Sequence, residues 1–178
     1  ILAGIDHLAF VAALMLIVRG WPMLLKTVTA FTVAHSITLG LATLGYVSLP
    51  PPPVEALIAL SILLVAAEAV HLRRGKRSLA TRWPWLIAFA FGLLHGFGFA
   101  GTLSEIGVPS GDIPLALLSF NIGVETGQLV FIAASLALFY SLRTLEIRPQ
   151  PWIRPVPAYT IGSFASFWFL QRCALIFA

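Results

Sequence analysis

The stretch WLIAFAFGLLHGFGFAG, residues 85–101, is apolar from end to end except for one histidine, His95, near its middle. TVTAFTVAHSITLGLATLG, residues 27–45, carries His35 in the same way. A helix needs about 20 such residues to cross a bilayer, and about 17 at the short end. An ionisable side chain in hydrocarbon is costly, so it usually faces a bundle interior or a polar cavity and marks function. Asp6 and His7 open another apolar run, and Glu68 and Glu125 lie inside two more. Imidazole with carboxylate is also ligand chemistry that suits nickel, zinc, copper or iron.

The composition agrees. Of the 178 residues, 59% are hydrophobic and 10% charged, with a mean hydropathy of +0.95; a soluble domain carries roughly 25% charged residues. The expectation is an all-α membrane protein with a single transmembrane domain. About six helices are predicted, over roughly residues 1–18, 24–49, 54–72, 83–103, 113–142 and 156–177. Pro50 to Pro53 reads as a short polyproline turn, and Trp83 with Trp85 as an interfacial anchor. Cys173 is the sole cysteine, which excludes an intramolecular disulfide and a Cys-rich metal site.

The net charge of +4 does not point to nucleic acid, because the basic residues gather in the breaks between apolar runs. Arg19, Lys26, Arg73, Arg74, Lys76, Arg77, Arg82, Arg143, Arg148 and Arg154 all fall in alternate loops, ten of the eleven Lys and Arg. The positive-inside rule makes those loops cytoplasmic and both termini extracytoplasmic. The predicted location is the membrane itself, the inner membrane if the source is bacterial. A chain that starts at Ile1 with an outward N-terminus is expected to continue a segment upstream.

Depth along these runs nominates a site. Asp6 and His7 fall in the outer part of the first, His35 and His95 midway along the second and fourth, and Glu125 in the outer half or middle of the fifth. Asn121, Glu125 and Gln128 share one helical face. These set Asp6, His7, His35, His95 and Glu125 as candidate metal ligands, with Ser36, Asn121, Gln128 and Glu68 as supporting residues. Each has a plainer reading: a helix cap for Asp6, hydrogen-bonded packing for the histidines and Glu125, and a surface position for His71 beside Glu68. Gly92 and Gly96 would let another helix approach closely, and local unwinding around His95 is compatible with so many glycines. Gly123 and Gly127 form a similar small-residue pattern around Glu125. Ala30-Phe31 with His35-Ser36 is echoed by Ala90-Phe91 with His95-Gly96, as in transporters whose repeats meet at a polar site. No H-E-x-x-H, G-x-S-x-G or Gly-rich phosphate loop occurs.

The segments Gly4 to Leu8, Thr29 to Ser36, Phe91 to Ala100 and Phe120 to Glu125 resemble the HupE/UreJ family of small integral membrane proteins. The resemblance covers about Gly4 to Gln128. It implies nickel or cobalt uptake, and is closest to a branch whose members often carry an extra extracytoplasmic N-terminal region. Asp6 and His7 match the end of a family motif similar to H-x5-D-H. Phe91 to Gly98 is similar to a second motif of the nickel-linked members, F-H-G-x-A/V-H-G-x-E, but keeps one histidine and lacks the glutamate, a departure that bears on nickel specificity and not on metal handling.

Three functions follow. The favoured one is a secondary permease for a divalent transition metal, nickel or cobalt, with proton exchange at the ligands. The alternative is a zinc-dependent intramembrane hydrolase built on the same residues and assisted by Ser36 or Glu68. The third is a non-catalytic membrane scaffold or metal-sensing subunit. The expected partners are the lipid bilayer and a nickel, cobalt or zinc ion; a homo-oligomer remains open.

Overall fold

The computed structural model describes residues 4–76, 78–105, 112–146, 150 and 152–177, with backbone alone for 100–105. Among these residues there are seven helices and no strand: α1 (Ile5–Ile17), α2 (Trp21–Thr43), α3 (Pro51–Arg73), α4 (Leu79–Arg82), α5 (Pro84–Glu105), α6 (Ile113–Thr144) and α7 (Val156–Ile176). The six longer ones lie on the six apolar runs. The one-turn α4 has no apolar signal; it is set by a capping box in which the Ser78 amide donates to Thr81 Oγ1 at 3.0 Å.

Helix α2 begins at Trp21 and ends at Thr43, rather than spanning residues 24–49. Pro22 is tolerated because a first-turn amide has no partner within the helix, and Gly45 stops the helix in a left-handed conformation (φ 78°). Lys26 therefore belongs to α2 and not to a loop. Its Nζ sits 4.3 Å from the centroid of the Trp85 ring. The proline run is also corrected: Pro51, Pro52 and Pro53 form the first turn of α3 instead of a polyproline turn, since their fixed φ suits a helix start. No unwinding occurs at His95, where α5 is continuous α-helix.

Helices α2, α3 and α6 are long and apolar enough to cross a membrane. Helix α1, at 13 residues, is about 20 Å long against a hydrocarbon core of about 30 Å. The outward faces are greasy: Leu115, Leu118 and Ile122 on α6 and Phe164, Phe167 and Leu170 on α7 are all exposed. Contiguous apolar surface of this kind is what a lipid-facing wall presents. Phe10, Leu14, Phe31, Ile62 and Val65 fill the interior.

The most extensive contact is α2 against α5, followed by α3 against α7; α1 packs on α3, and α6 reaches both α2 and α1. Glycine sets the first pair. A Cβ on Gly92 would lie 2.5 Å from the Phe31 carbonyl oxygen, and one on Gly96 would overlap the His35 carbonyl and Thr38 Oγ1. The two echoed segments are thus packed against each other. Gly98 faces a different helix, meeting Ile58 of α3. Gly123 does not serve close packing as its spacing suggested, because a Cβ there meets nothing within 4 Å.

Gly96→Val should therefore force α2 and α5 apart and lower stability by about 1–3 kcal/mol or more. Gly123→Ala should be neutral, or stabilising by about 0.5–1 kcal/mol. Thermal unfolding in detergent, followed by monodispersity, checks both; equal effects would contradict this packing.

Candidate metal centre

Three imidazoles from three helices meet inside the bundle. His7 stands in α1, one residue past Asp6, His35 in α2 and His95 in α5. The His7 ring contacts the other two edge-on, with centroids 5.2 Å from each at 74° to His35 and 79° to His95. His35 and His95 are fully buried and His7 is 4% exposed. Phenylalanines wall the group: Phe99 lies 4.8 Å from His7, Phe31 5.0 Å from His95 and Phe10 5.2 Å from His95, centroid to centroid.

Neighbouring hydrogen bonds fix which nitrogen carries the proton on two of these rings. The Asn121 amide nitrogen donates to the Leu117 carbonyl at 2.8 Å, so its oxygen faces His35 Nδ1, 3.2 Å away. That oxygen can only accept, hence His35 Nδ1 is protonated and Nε2 keeps its lone pair. Ser61 Oγ donates its single hydrogen to the Ile58 carbonyl at 2.7 Å and lies 3.0 Å from His95 Nε2. It accepts from that ring, which leaves the lone pair on His95 Nδ1. His35 Nε2, His95 Nδ1 and His7 Nε2 are all buried without a hydrogen-bond partner. A buried polar atom left unpaired costs about 1–3 kcal/mol, so a group of them calls for an explanation.

A polar seam between α2 and α6 continues from this group. Thr29 Oγ1 donates to Glu125 Oε1 at 2.7 Å and Thr32 Oγ1 to Gln128 Oε1 at 3.3 Å. Glu125 thus sits one helical turn past Asn121, bonded to a threonine, while the Gln128 amide nitrogen is buried and unpaired. Asp6 is within electrostatic reach of Arg172 and Glu55, which pair with each other at 2.9 Å. The pair is 40% and 37% exposed, and such pairs contribute about 0–1 kcal/mol. Ser36 donates back to the Thr32 carbonyl at 2.7 Å. Glu68 accepts from Ser78 and lies 3.9 Å from His71, near the C-terminal end of α3.

The structure thus brings His7, His35 and His95 together and places Asn121 on His35. It leaves Glu125, Ser36 and Glu68 with other partners. Among the described residues, no three His, Cys, Asp or Glu side chains are arranged to hold a metal ion as they stand. Ser61, Thr29, Glu55 and Arg172 are additions to the sequence reading. Ser61 could have been found as a polar residue deep in α3, and Arg172 as the one basic residue outside the basic loops.

Two outcomes follow from the tautomer argument. Imidazole nitrogen NMR should show His35 protonated at Nδ1 and His95 at Nε2, and Asn121→Leu should cost about 1–3 kcal/mol of stability. The opposite tautomers in the wild-type spectrum would refute the assignment.

A family model described as HupE / UreJ protein matches residues 1–172. No curated protein and no solved structure matches the chain.

Proposed function

The chain belongs to the HupE/UreJ family, and from that premise we propose that it is an integral membrane permease for a divalent transition-metal cation, nickel or cobalt before zinc. The observation that supports this is the set of buried, unpartnered nitrogens on His7, His35 and His95. Two of them carry lone pairs, and neutral imidazole is a good ligand for these metals. Asn121 and Ser61 act behind the ligands, holding tautomer and ring orientation.

The rings touch edge to face, so a cation is gripped after they turn toward it. A transported ion must also be released, and a site that forms on arrival binds less tightly than a rigid cage. Asp6 would meet the ion at the outer end of α1, and Glu125 one turn beyond Asn121 would take it onward along the α2–α6 seam. The same reading has six crossings with both termini extracytoplasmic, in a bacterial inner membrane.

The hydrolytic alternative is less well supported. It needs an acid or base beside the metal, and the two helpers considered for it are engaged: Ser36 with the Thr32 carbonyl and Glu68 with Ser78.

Equilibrium dialysis of the purified protein with Ni²⁺, Co²⁺ and Zn²⁺, together with uptake into proteoliposomes, tests the proposal. His7→Ala, His35→Ala and His95→Ala should each abolish uptake while the protein stays monodisperse. Asn121→Ala and Ser61→Ala should weaken binding by about 10–100-fold. Binding and uptake unchanged in all three histidine variants would overturn the permease.

A further inference from the structure

At the end of the bundle opposite His7 there is a cavity of about 1110 Å³, lined by the C-terminus of α1, the start of α2, the end of α3, α4 and Pro84. Its volume is slightly above the usual range for small-molecule sites, about 300–1,000 Å³. Ile17, Met23, Leu72 and Leu79 give it an apolar wall, while Arg19 and Arg82 put two guanidinium groups on it. None of the described residues that line it is a carboxylate.

The nearest polar chemistry is already engaged. Ser78 donates to Glu68, and Thr81 Oγ1 donates to the Ser78 carbonyl at 2.9 Å. Neither Arg19 nor Arg82 takes part in an ion pair among the described residues. Two guanidinium groups in no ion pair among the described residues make the cavity less suited to a metal cation than to an anion. Arginine in particular matches the fork geometry of a phosphate.

Depth identifies the source of that phosphate. The Arg82 guanidinium lies 5.1 Å over the Trp83 ring, and Trp85 follows under Lys26. Tryptophans at helix ends sit at headgroup level, and Arg73, Arg74 and Lys76 add positive charge at the same end. Basic pockets between helix ends on that side of a membrane suit anionic headgroups, with the acyl chains continuing along apolar walls.

We propose that this cavity binds the phosphate headgroup of an anionic phospholipid through Arg19 and Arg82. Native mass spectrometry of the delipidated full-length chain, titrated with phosphatidylglycerol or phosphatidylcholine, tests it. Phosphatidylglycerol should be retained in preference, and Arg19→Gln and Arg82→Gln should each weaken retention by about fivefold. Arg143→Gln with Arg154→Gln, outside the cavity, should leave it unchanged. A far-ultraviolet spectrum and thermal unfolding establish that each variant is folded, and Arg19→Lys with Arg82→Lys should restore part of the retention.

The proposal fails if the two lipids bind equally. It fails too if the Arg143 and Arg154 variant loses as much as the cavity variants, which would make the effect a surface field. Displacement of the lipid by inorganic phosphate would overturn it by reassigning the cavity to a soluble anion. Because the readout is lipid retention, it stands or falls apart from metal transport.

Discussion

Helix α5 lies so close to α2 at Gly92 and Gly96 that no side chain fits between the two backbones, and the rest of the interior is organised by that approach. Larger residues at either position would hold the helices apart and with them His35 and His95. Because the glycines lie within a turn of His95, the close contact and the imidazole share one level of the bundle. His7 of α1 then sits against both rings. Packing and chemistry are set by the same few residues.

That arrangement places polar atoms where water is scarce. His35 and His95 each satisfy one nitrogen with a partner whose own hydrogen is used elsewhere, Asn121 on Leu117 and Ser61 on Ile58. The consequence is directional: the protonated nitrogen is consumed by the scaffold and the basic nitrogen is left over. Phe10, Phe31 and Phe99 offer no hydrogen bond to it. Buried polar atoms are ordinarily paired, so lone pairs left over at this depth are the exception in the bundle.

The molecule is also polarised from end to end. Asp6 lies in the first turn of α1, and Glu55 in the start of α3 is paired to Arg172; past the end of α1 are Arg19, Arg82 and the basic turn after α3. Carboxylates at one end and guanidiniums without an ion pair among the described residues at the other give the two ends different preferences for ions. The basic end that orients a chain in a bilayer is here also the end with a cavity.

Hydropathy and charge in the sequence were sufficient for an all-helical chain, for the positions of the six longer helices, and for the histidines at its interior. These depend on local composition, which a helix in lipid expresses directly because its backbone satisfies its own hydrogen bonds. Helix ends were read less well, since Pro51 to Pro53 and Gly45 act through φ at single residues and not through hydropathy. Only the tertiary structure decided that His7 bridges His35 and His95, that Ser61 and Asn121 set their tautomers, and that Arg172 of α7 pairs with Glu55 of α3. Such pairings depend on how helices distant in sequence rotate and approach, and periodicity within a single apolar run carries no record of that.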